Sequence, residues 1–281
     1  MTATPPVTYV ECPRDSWQGL HTTIPTAAKI EHLHALLDAG FTHLDLGSFV
    51  SARAIPQLAD TEAVLAELPD PAGRDYLCII ANARGLERAA TQARVTSVGY
   101  PLSVSDAFQV RNTGRTVEES WPLLADLAAG ARDARKRLVV YLSMGFGNPD
   151  GDPWTPDTTL DAVARVRDLG IQDVALADTV GRATPDLVRA LSARATARFG
   201  ADGLGVHLHA RPDGAAALAQ AALDAGIRWF EGALGGLGGC PFAGDALVGN
   251  LPTERLADLL HLPYRGLDDL AVRARTLAHA E

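Results

Sequence analysis

Gly205-Val206-His207-Leu208-His209 is a short apolar run that carries two histidines two residues apart. As a β-strand it alternates its side chains between faces, so His207 and His209 point the same way. Two imidazoles on one face can begin a divalent-cation site; they can equally be two histidines satisfied by hydrogen bonds on a buried strand. The run decides the fold through what flanks it. Upstream lies another apolar run, Asp173–Ala177, followed by the helix-length stretch Pro185–Arg198. Downstream, Gly214–Ala225 leads to a third run, Ile227–Ala233. Strands alternating with helices predict βαβ units and a parallel sheet.

The alternation runs through the whole chain. Further strands are expected at Val7–Cys12, His43–Gly47, Tyr76–Ala81, Val95–Leu102 and Leu138–Met144. Further helices are expected at Thr26–Ala39, Pro56–Leu68, Gly85–Gln92, Val117–Ala134, Thr158–Leu169 and Thr253–Leu260. Eight strands, each followed by a helix, are the pattern of an α/β protein of the (β/α)8 TIM-barrel type. Leu267–Ala280 is left over as a C-terminal helical extension. The competing architecture, an open doubly wound sheet, would carry GxGxxG after the first strand, and that motif is absent there. Thr184-Pro185 reads as an N-cap followed by proline at the first helical position, and Gly40, Gly170 and Gly226 sit where helices end. No linker rich in Pro, Gly or Ser divides the chain, so residues 1–281 are expected to form one catalytic barrel. A lid loop is expected at about 235–249 and a terminal helix at about 267–280.

Composition narrows the function classes. The chain has 281 residues, 47% hydrophobic and 21% charged, with a net charge of −9. It has no concentrated basic patch of the kind nucleic acid requires. It has no apolar run approaching the length of a membrane span. Three cysteines without a CxxC spacing suggest a reducing compartment. MTATPPVTYV has neither the basic nor the apolar part of a signal peptide, so a cytoplasmic enzyme is expected.

In such barrels the active site is built at the C-terminal strand ends. The first strand ends in Arg14-Asp15, and Asp15 is near strand seven around a closed barrel. With His207 and His209 it would give two imidazoles and a carboxylate with open positions for an oxygen substrate. Arg14 carries a fixed charge suited to an enolate or carboxylate oxygen. Asp45, on the second strand, is placed to orient Arg14. Asp178, at the end of the sixth, is a candidate general base or a partner of the cation site. Five glycines fall between Gly232 and Gly239, just before Cys240, which reads as a phosphate-binding loop or as a lid carrying the thiol. Asn250 can offer an oxygen to a hard cation. Only His261 and His279 follow the histidine pair, so the set leans toward oxygen ligands and toward Mg²⁺ or Mn²⁺.

Together these stretches form a pattern. Pro13-Arg14-Asp15…Gln18, Ser48-Phe49-Val50-Ser51…Pro56-Gln57-Leu58-Ala59-Asp60, Asp178-Thr179-Val180-Gly181, His207-x-His209, Gly235–Pro241 and Gly249-Asn250-Leu251-x-Thr253-Glu254 run in order along the chain. The chain resembles the 3-hydroxy-3-methylglutaryl-CoA lyases, within the wider group of metal-dependent TIM-barrel lyases and Claisen-condensing enzymes. The resemblance implies Asp15, His207, His209 and Asn250 as ligands of a divalent cation, Mg²⁺ or Mn²⁺. It implies Arg14 as the enolate-stabilising residue, with Cys240 and Asp178 as acid/base groups. Gln18, Asp45, Ser48 and Thr179 are then expected at the substrate. The implied substrate is a small-molecule acyl thioester of the CoA type, and the implied assembly a homodimer. The implied reaction breaks the Cα–Cβ bond of a 3-hydroxyacyl thioester, giving a keto acid and an acetyl thioester. The competing readings are a Claisen or aldol condensation and a non-catalytic binding barrel.

The chain departs from the family pattern at its barrel mouth. Ser16-Trp17 stands where the family has Gly-Leu, Asp45 replaces a Glu, and Ala210 replaces an Asp after the histidine pair. One residue is added between Cys240 and Asn250, and the loop Gly147–Trp154 is atypical. These differences predict a substrate other than, or larger than, the usual hydroxymethylglutaryl thioester.

Overall fold

The computed structural model describes residues 6–239 and 248–279. Its strands are β1 (Thr8–Glu11), β2 (His43–Ser48), β3 (Asp75–Ile79), β4 (Ser97–Ser103), β5 (Arg137–Ser143), β6 (Asp173–Asp178), β7 (Leu204–Leu208) and β8 (Trp229–Gly232). They pair in parallel in chain order, and β8 returns to β1 with Val10 opposite Glu231, so the barrel closes. Closure brings β7 within one strand of β1, and this is what lets His207, His209 and Asp15 meet.

The helices are α1 (Pro13–Gln18), α2 (Thr26–Ala39), α3 (Thr61–Glu67), α4 (Ala83–Ala90), α5 (Asp106–Thr113), α6 (Val117–Asp133), α7 (Pro156–Asp168), α8 (Pro185–Phe199), α9 (Ala215–Asp224), α10 (Thr253–Leu260) and α11 (Leu267–Ala278). Among the described residues no helix is long and apolar enough to cross a membrane. The expected punctuation is present. Thr184 accepts a hydrogen bond from the Leu187 amide ahead of Pro185, and Gly40, Gly170 and Gly226 all have positive φ.

Three elements differ from the sequence expectation. The helix expected at Pro56–Leu68 is a 3-10 turn, Pro56–Leu58, followed by α3. Between them Asp60 faces α2, where it accepts from the Thr26 hydroxyl and pairs with the buried Lys29 at 2.7 Å. α1 was not expected; a proline opens it, and proline is pre-organised for the first helical turn. α5 was not expected either, although Ser105 caps its amide end and Gly114 closes it at φ +73°.

Two cores result. Strand side chains turned outward, such as Leu44, Leu46, Val98, Leu102, Val206 and Leu208, join the helices in one large cluster. The barrel interior holds a smaller one, including Val10, Leu77, Ile79, Val139, Tyr141 and Trp229. Gly205 makes this packing possible, since a Cβ there would lie 2.4 Å from the Trp229 ring. The lower barrel is thus filled with carbon, and the open volume lies at the strands' C-terminal ends.

Candidate metal centre and active site

α1 delivers the first site residues. On a helix, residues three and four apart share a face. Arg14, Asp15 and Gln18 accordingly interlock: Arg14 Nη1 donates to Asp15 Oδ1 at 2.8 Å and to Gln18 Oε1 at 2.9 Å, and Gln18 Nε2 donates to Asp15 Oδ1. The other edge of the guanidinium is held by Asp45 of β2, with Nε 3.0 and 3.1 Å from its two oxygens and Nη2 donating as well. Arg14 is therefore fixed by two carboxylates and an amide, and its side chain is 9% exposed, at the cavity.

The histidine pair meets this cluster. Ligand atoms of Asp15, His207 and His209 all lie within 4.8 Å of one another. Each imidazole is oriented through Nδ1: His207 is 2.8 Å from Glu231 Oε2, and His209 is 3.0 Å from the Thr179 carbonyl oxygen. These bonds leave both Nε2 atoms as the free ring nitrogens, the usual arrangement behind a metal. Asn250 closes the set. Its Nδ2 donates to Asp15 Oδ2 at 2.6 Å and to the Leu237 carbonyl at 2.8 Å. Its Oδ1 and His209 Nε2 are buried with no hydrogen-bond partner in the protein. Two buried polar atoms without partners, beside a carboxylate and a second imidazole, fit a hard divalent cation.

Charge makes the same point. Three buried carboxylates, Asp15, Asp45 and Glu231, share the site with one guanidinium, that of Arg14. The acidic side chains outnumber the guanidinium, an excess that favours a bound cation. Burial raises the Asp45 carboxyl to about 6 in spite of Arg14. Burial is the largest influence on Asp15 too, but Arg14, His209 and His207 together outweigh it and hold that carboxyl well below the ordinary range. Burial lowers His207, but the hydrogen bond and the charge of Glu231, with the charge of Asp15, together raise it above its ordinary value. Cys12, His207 and Glu231 also lie close enough to bind an ion. Burial, reinforced by the Glu231 charge, keeps the Cys12 thiol protonated, which disfavours that alternative.

The remaining expected residues fall in different places. Gln18 and Thr179 line the cavity. Ser48 and Asp45 do not: Asp45 lies behind Arg14, and the Ser48 hydroxyl accepts from the Val50 amide and is part of the β2 turn. Asp178 is buried, and its carboxylate accepts from the Arg182 and Ala183 amides at 2.9 and 2.8 Å. Those bonds hold the loop, and Asp178 is not among the described residues that line the cavity. Cys240 lies outside the described residues. The chain leading to it does not: Gly238 packs on the site so closely that a Cβ would come 2.7 Å from Asn250 Nδ2 and 2.8 Å from the Asp15 carbonyl.

Sequence reasoning passed over three acids. Glu231 orients His207 and also accepts from the Tyr141 hydroxyl at 3.1 Å. Glu11 accepts from the Leu234 amide at 2.7 Å and from the Thr253 hydroxyl at 2.5 Å. Glu254 accepts from the Gly235 amide at 2.9 Å. The last two anchor the start of the glycine-rich segment. For Glu11 and Glu231 the signal was an acid within an otherwise apolar strand.

Above these groups opens a cavity of about 170 Å³. Arg14, Asp15, His207 and His209 line one side, and Ile79, Ala81, Pro101 and Phe108 line another.

A closed parallel barrel with an oxygen- and imidazole-lined candidate cation site beside a clamped arginine points to a class of barrel enzyme, and the comparisons name it. The HMGL-like family model matches residues 10–269, so the chain belongs to that family. It is 32% identical over 249 residues to hydroxymethylglutaryl-CoA lyase of Pseudomonas mevalonii, covering 89% of this chain and 82% of the relative. It is 34% identical over 272 residues to (R)-citramalyl-CoA lyase of Chloroflexus aurantiacus, covering 93% and 84%. Among solved structures it is similar to an HMG-CoA lyase from Acinetobacter baumannii in complex with coenzyme A and 3-methylmalate, with a TM-score of 0.90, 30% identity, and coverage of 99% and 92%. The class is that of carbon–carbon lyases.

Proposed function

We propose that the chain cleaves the Cα–Cβ bond of a 3-hydroxyacyl thioester of the CoA type, releasing a keto acid and an acetyl thioester. Asp15, His207, His209 and Asn250 would hold the divalent cation, Mg²⁺ or Mn²⁺. The observation that carries this reading is the pair of unpartnered buried atoms, His209 Nε2 and Asn250 Oδ1, gathered around Asp15. The relatives' names supply the thioester.

When bound, the cation would acidify a chelating hydroxyl and polarise the oxygen beside it. The chain's own groups do the rest. The hydroxyl loses its proton to a base, the Cα–Cβ bond breaks, and the electron pair passes into a thioester enolate. The Arg14 guanidinium stands at the cavity to stabilise the enolate oxygen, and Asp45 holds it there, so little reorganisation is needed as charge develops. A proton then returns to the enolate carbon. Cys240 is proposed as its donor, because it follows Gly238 and Gly239 in the chain and Gly238 packs on Asp15 and Asn250. Asp45, Ser48 and Asp178 are proposed as positioning residues, and Gln18 and Thr179 as substrate contacts.

The test is direct. Purified protein with Mg²⁺ is assayed on a panel of 3-hydroxyacyl-CoA thioesters, with acetyl-CoA and the ketone fragment both quantified. Stoichiometric release that chelation abolishes is expected. Carbon–carbon bond formation from acetyl-CoA and keto acids, without cleavage, would instead establish the condensing reading.

A further inference from the structure

The cavity has two chemically different sides. Its charged and imidazole groups come from α1 and from β7 with the residue after it. Across from them, β3 with the residues after it, β4 and α5 present carbon: Ile79, Ala81, Pro101 and Phe108. Asn112 and Thr113 add only neutral polar groups. Arg14 is the sole Lys or Arg among the described cavity-lining residues, and both edges of its guanidinium are engaged by Asp45, Asp15 and Gln18. The stretch from Cys240 to Leu247 contains no Lys or Arg.

The carbon side is pre-formed. α5 is fixed at its N-terminus by Asp152, whose Oδ2 accepts from the Ser105 hydroxyl at 2.6 Å and the Ala107 amide at 2.9 Å. Behind the wall, Ile79 and Tyr141 close over Gly99 so tightly that a Cβ there would lie 2.7 and 2.8 Å from them. A carboxylate placed against Ile79, Ala81, Pro101 and Phe108 would exchange hydration for carbon, with only the neutral groups of Asn112 and Thr113 on that side and no cationic side chain among the described lining residues there. An aliphatic group would exchange water for carbon.

We propose that the hydroxyl-bearing carbon of the substrate carries an uncharged aliphatic chain longer than methyl, seated on Ile79, Ala81, Pro101 and Phe108. This inference rests on the lyase reading and specifies its substrate. Cleavage turns that carbon into the carbonyl of the released fragment, which keeps the chain, while the acetyl thioester departs without it. The enzyme then selects among 3-hydroxyacyl thioesters by the alkyl group on C3 and disfavours one carrying a second carboxylate there.

The test uses the ketone side alone, with no thioester present. Isothermal titration calorimetry in Mg²⁺ compares pyruvate, 2-oxobutanoate and 2-oxohexanoate, each of which offers a carbonyl and a carboxylate oxygen to a cation, with the doubly charged 2-oxoglutarate. Each added methylene should tighten binding about fourfold, or about 60-fold from pyruvate to 2-oxohexanoate. 2-Oxoglutarate should bind no better than pyruvate. Ala81→Phe, which fills the wall, should reduce the 2-oxohexanoate-to-pyruvate affinity ratio at least tenfold. A flat series, a preference for 2-oxoglutarate, or an unchanged ratio in Ala81→Phe overturns the proposal and gives the carbon wall to the thiol carrier or to no ligand. Turnover of the matching thioesters separates this from the parent reading. Cleavage without a chain-length trend sinks only the alkyl inference, and a binding trend without cleavage of any thioester sinks only the lyase.

Discussion

At the scale of single residues, the site is governed by groups that touch groups. Arg14 satisfies Asp45, Asp15 and Gln18 at once through a planar fork. A lysine ammonium is a point charge and cannot span those partners. Arg14→Lys is therefore expected to lower kcat by at least 10²-fold, the usual loss on removing an oxyanion donor, with metal content unchanged by elemental analysis. Glu231 acts one step further out, on the ring of His207. Glu231→Gln keeps an acceptor but removes the charge. It should weaken Mg²⁺ or Mn²⁺ binding by about tenfold, measured by calorimetry on protein first stripped with chelator. Unaltered metal affinity would show that Glu231 is only a packing partner. Both residues were open to sequence reading in different degrees. Arg14 stands in a motif at a strand end; Glu231 shows only as a charge in an apolar run, with nothing to say which histidine it faces.

At the scale of elements, the loop after β5 acts as a brace. Its Asp152 reaches back to the N-terminus of α5, and Asp150 pairs with Arg111 at 3.1 Å. α5 carries Phe108, Asn112 and Thr113 on the cavity wall, so the loop braces the pocket from outside. Asp152→Ala removes two hydrogen bonds at a helix start and should cost about 1 kcal/mol in denaturant unfolding. It should also raise KM more than it lowers kcat, since the braced wall is proposed to seat the substrate's alkyl chain away from the reacting bond. An equal loss in both would place the loop in the chemistry instead. The long reach from β5 to α5 could not be read from the chain. Loop 147–155 shows its turn residues clearly, but not which helix end they approach.

At the scale of the whole molecule, closure and pH behaviour depend on buried carboxyl groups. Burial raises Glu11 to about 8 from an unfolded value of 4.5. Between those values the folded state holds a proton that the unfolded state has released, so this contribution is full below 4.5 and is lost as pH rises through 8. His32 acts oppositely. Burial lowers it to about 4 from 6.5, so its contribution is present above 6.5 and is lost as pH falls through 4. Thermal unfolding across pH should therefore show stability falling on both sides. Glu11→Gln should flatten the alkaline limb and leave the acidic one. Because Glu11 ties β1 to Leu234 and Thr253, it is also where the barrel's first strand meets its last connection.

The sequence by itself determined the alternation of strands and helices, hence the closed barrel, and it pointed to the strand ends where the candidate site gathers. Periodicity and end signals are local, and a barrel's strand order follows from chain order. It also marked Arg14, Asp15, His207, His209 and Asn250. Tertiary structure alone decided what those residues do to one another. It turned Asp178 onto loop amides, set Asp45 behind Arg14, brought Glu231 to His207, and left His209 Nε2 and Asn250 Oδ1 without protein partners. These are distances across the barrel between residues as much as 235 positions apart, as with Asp15 and Asn250. Only closure of β8 onto β1 fixes them, because no local periodicity encodes which inward-facing group lies opposite which.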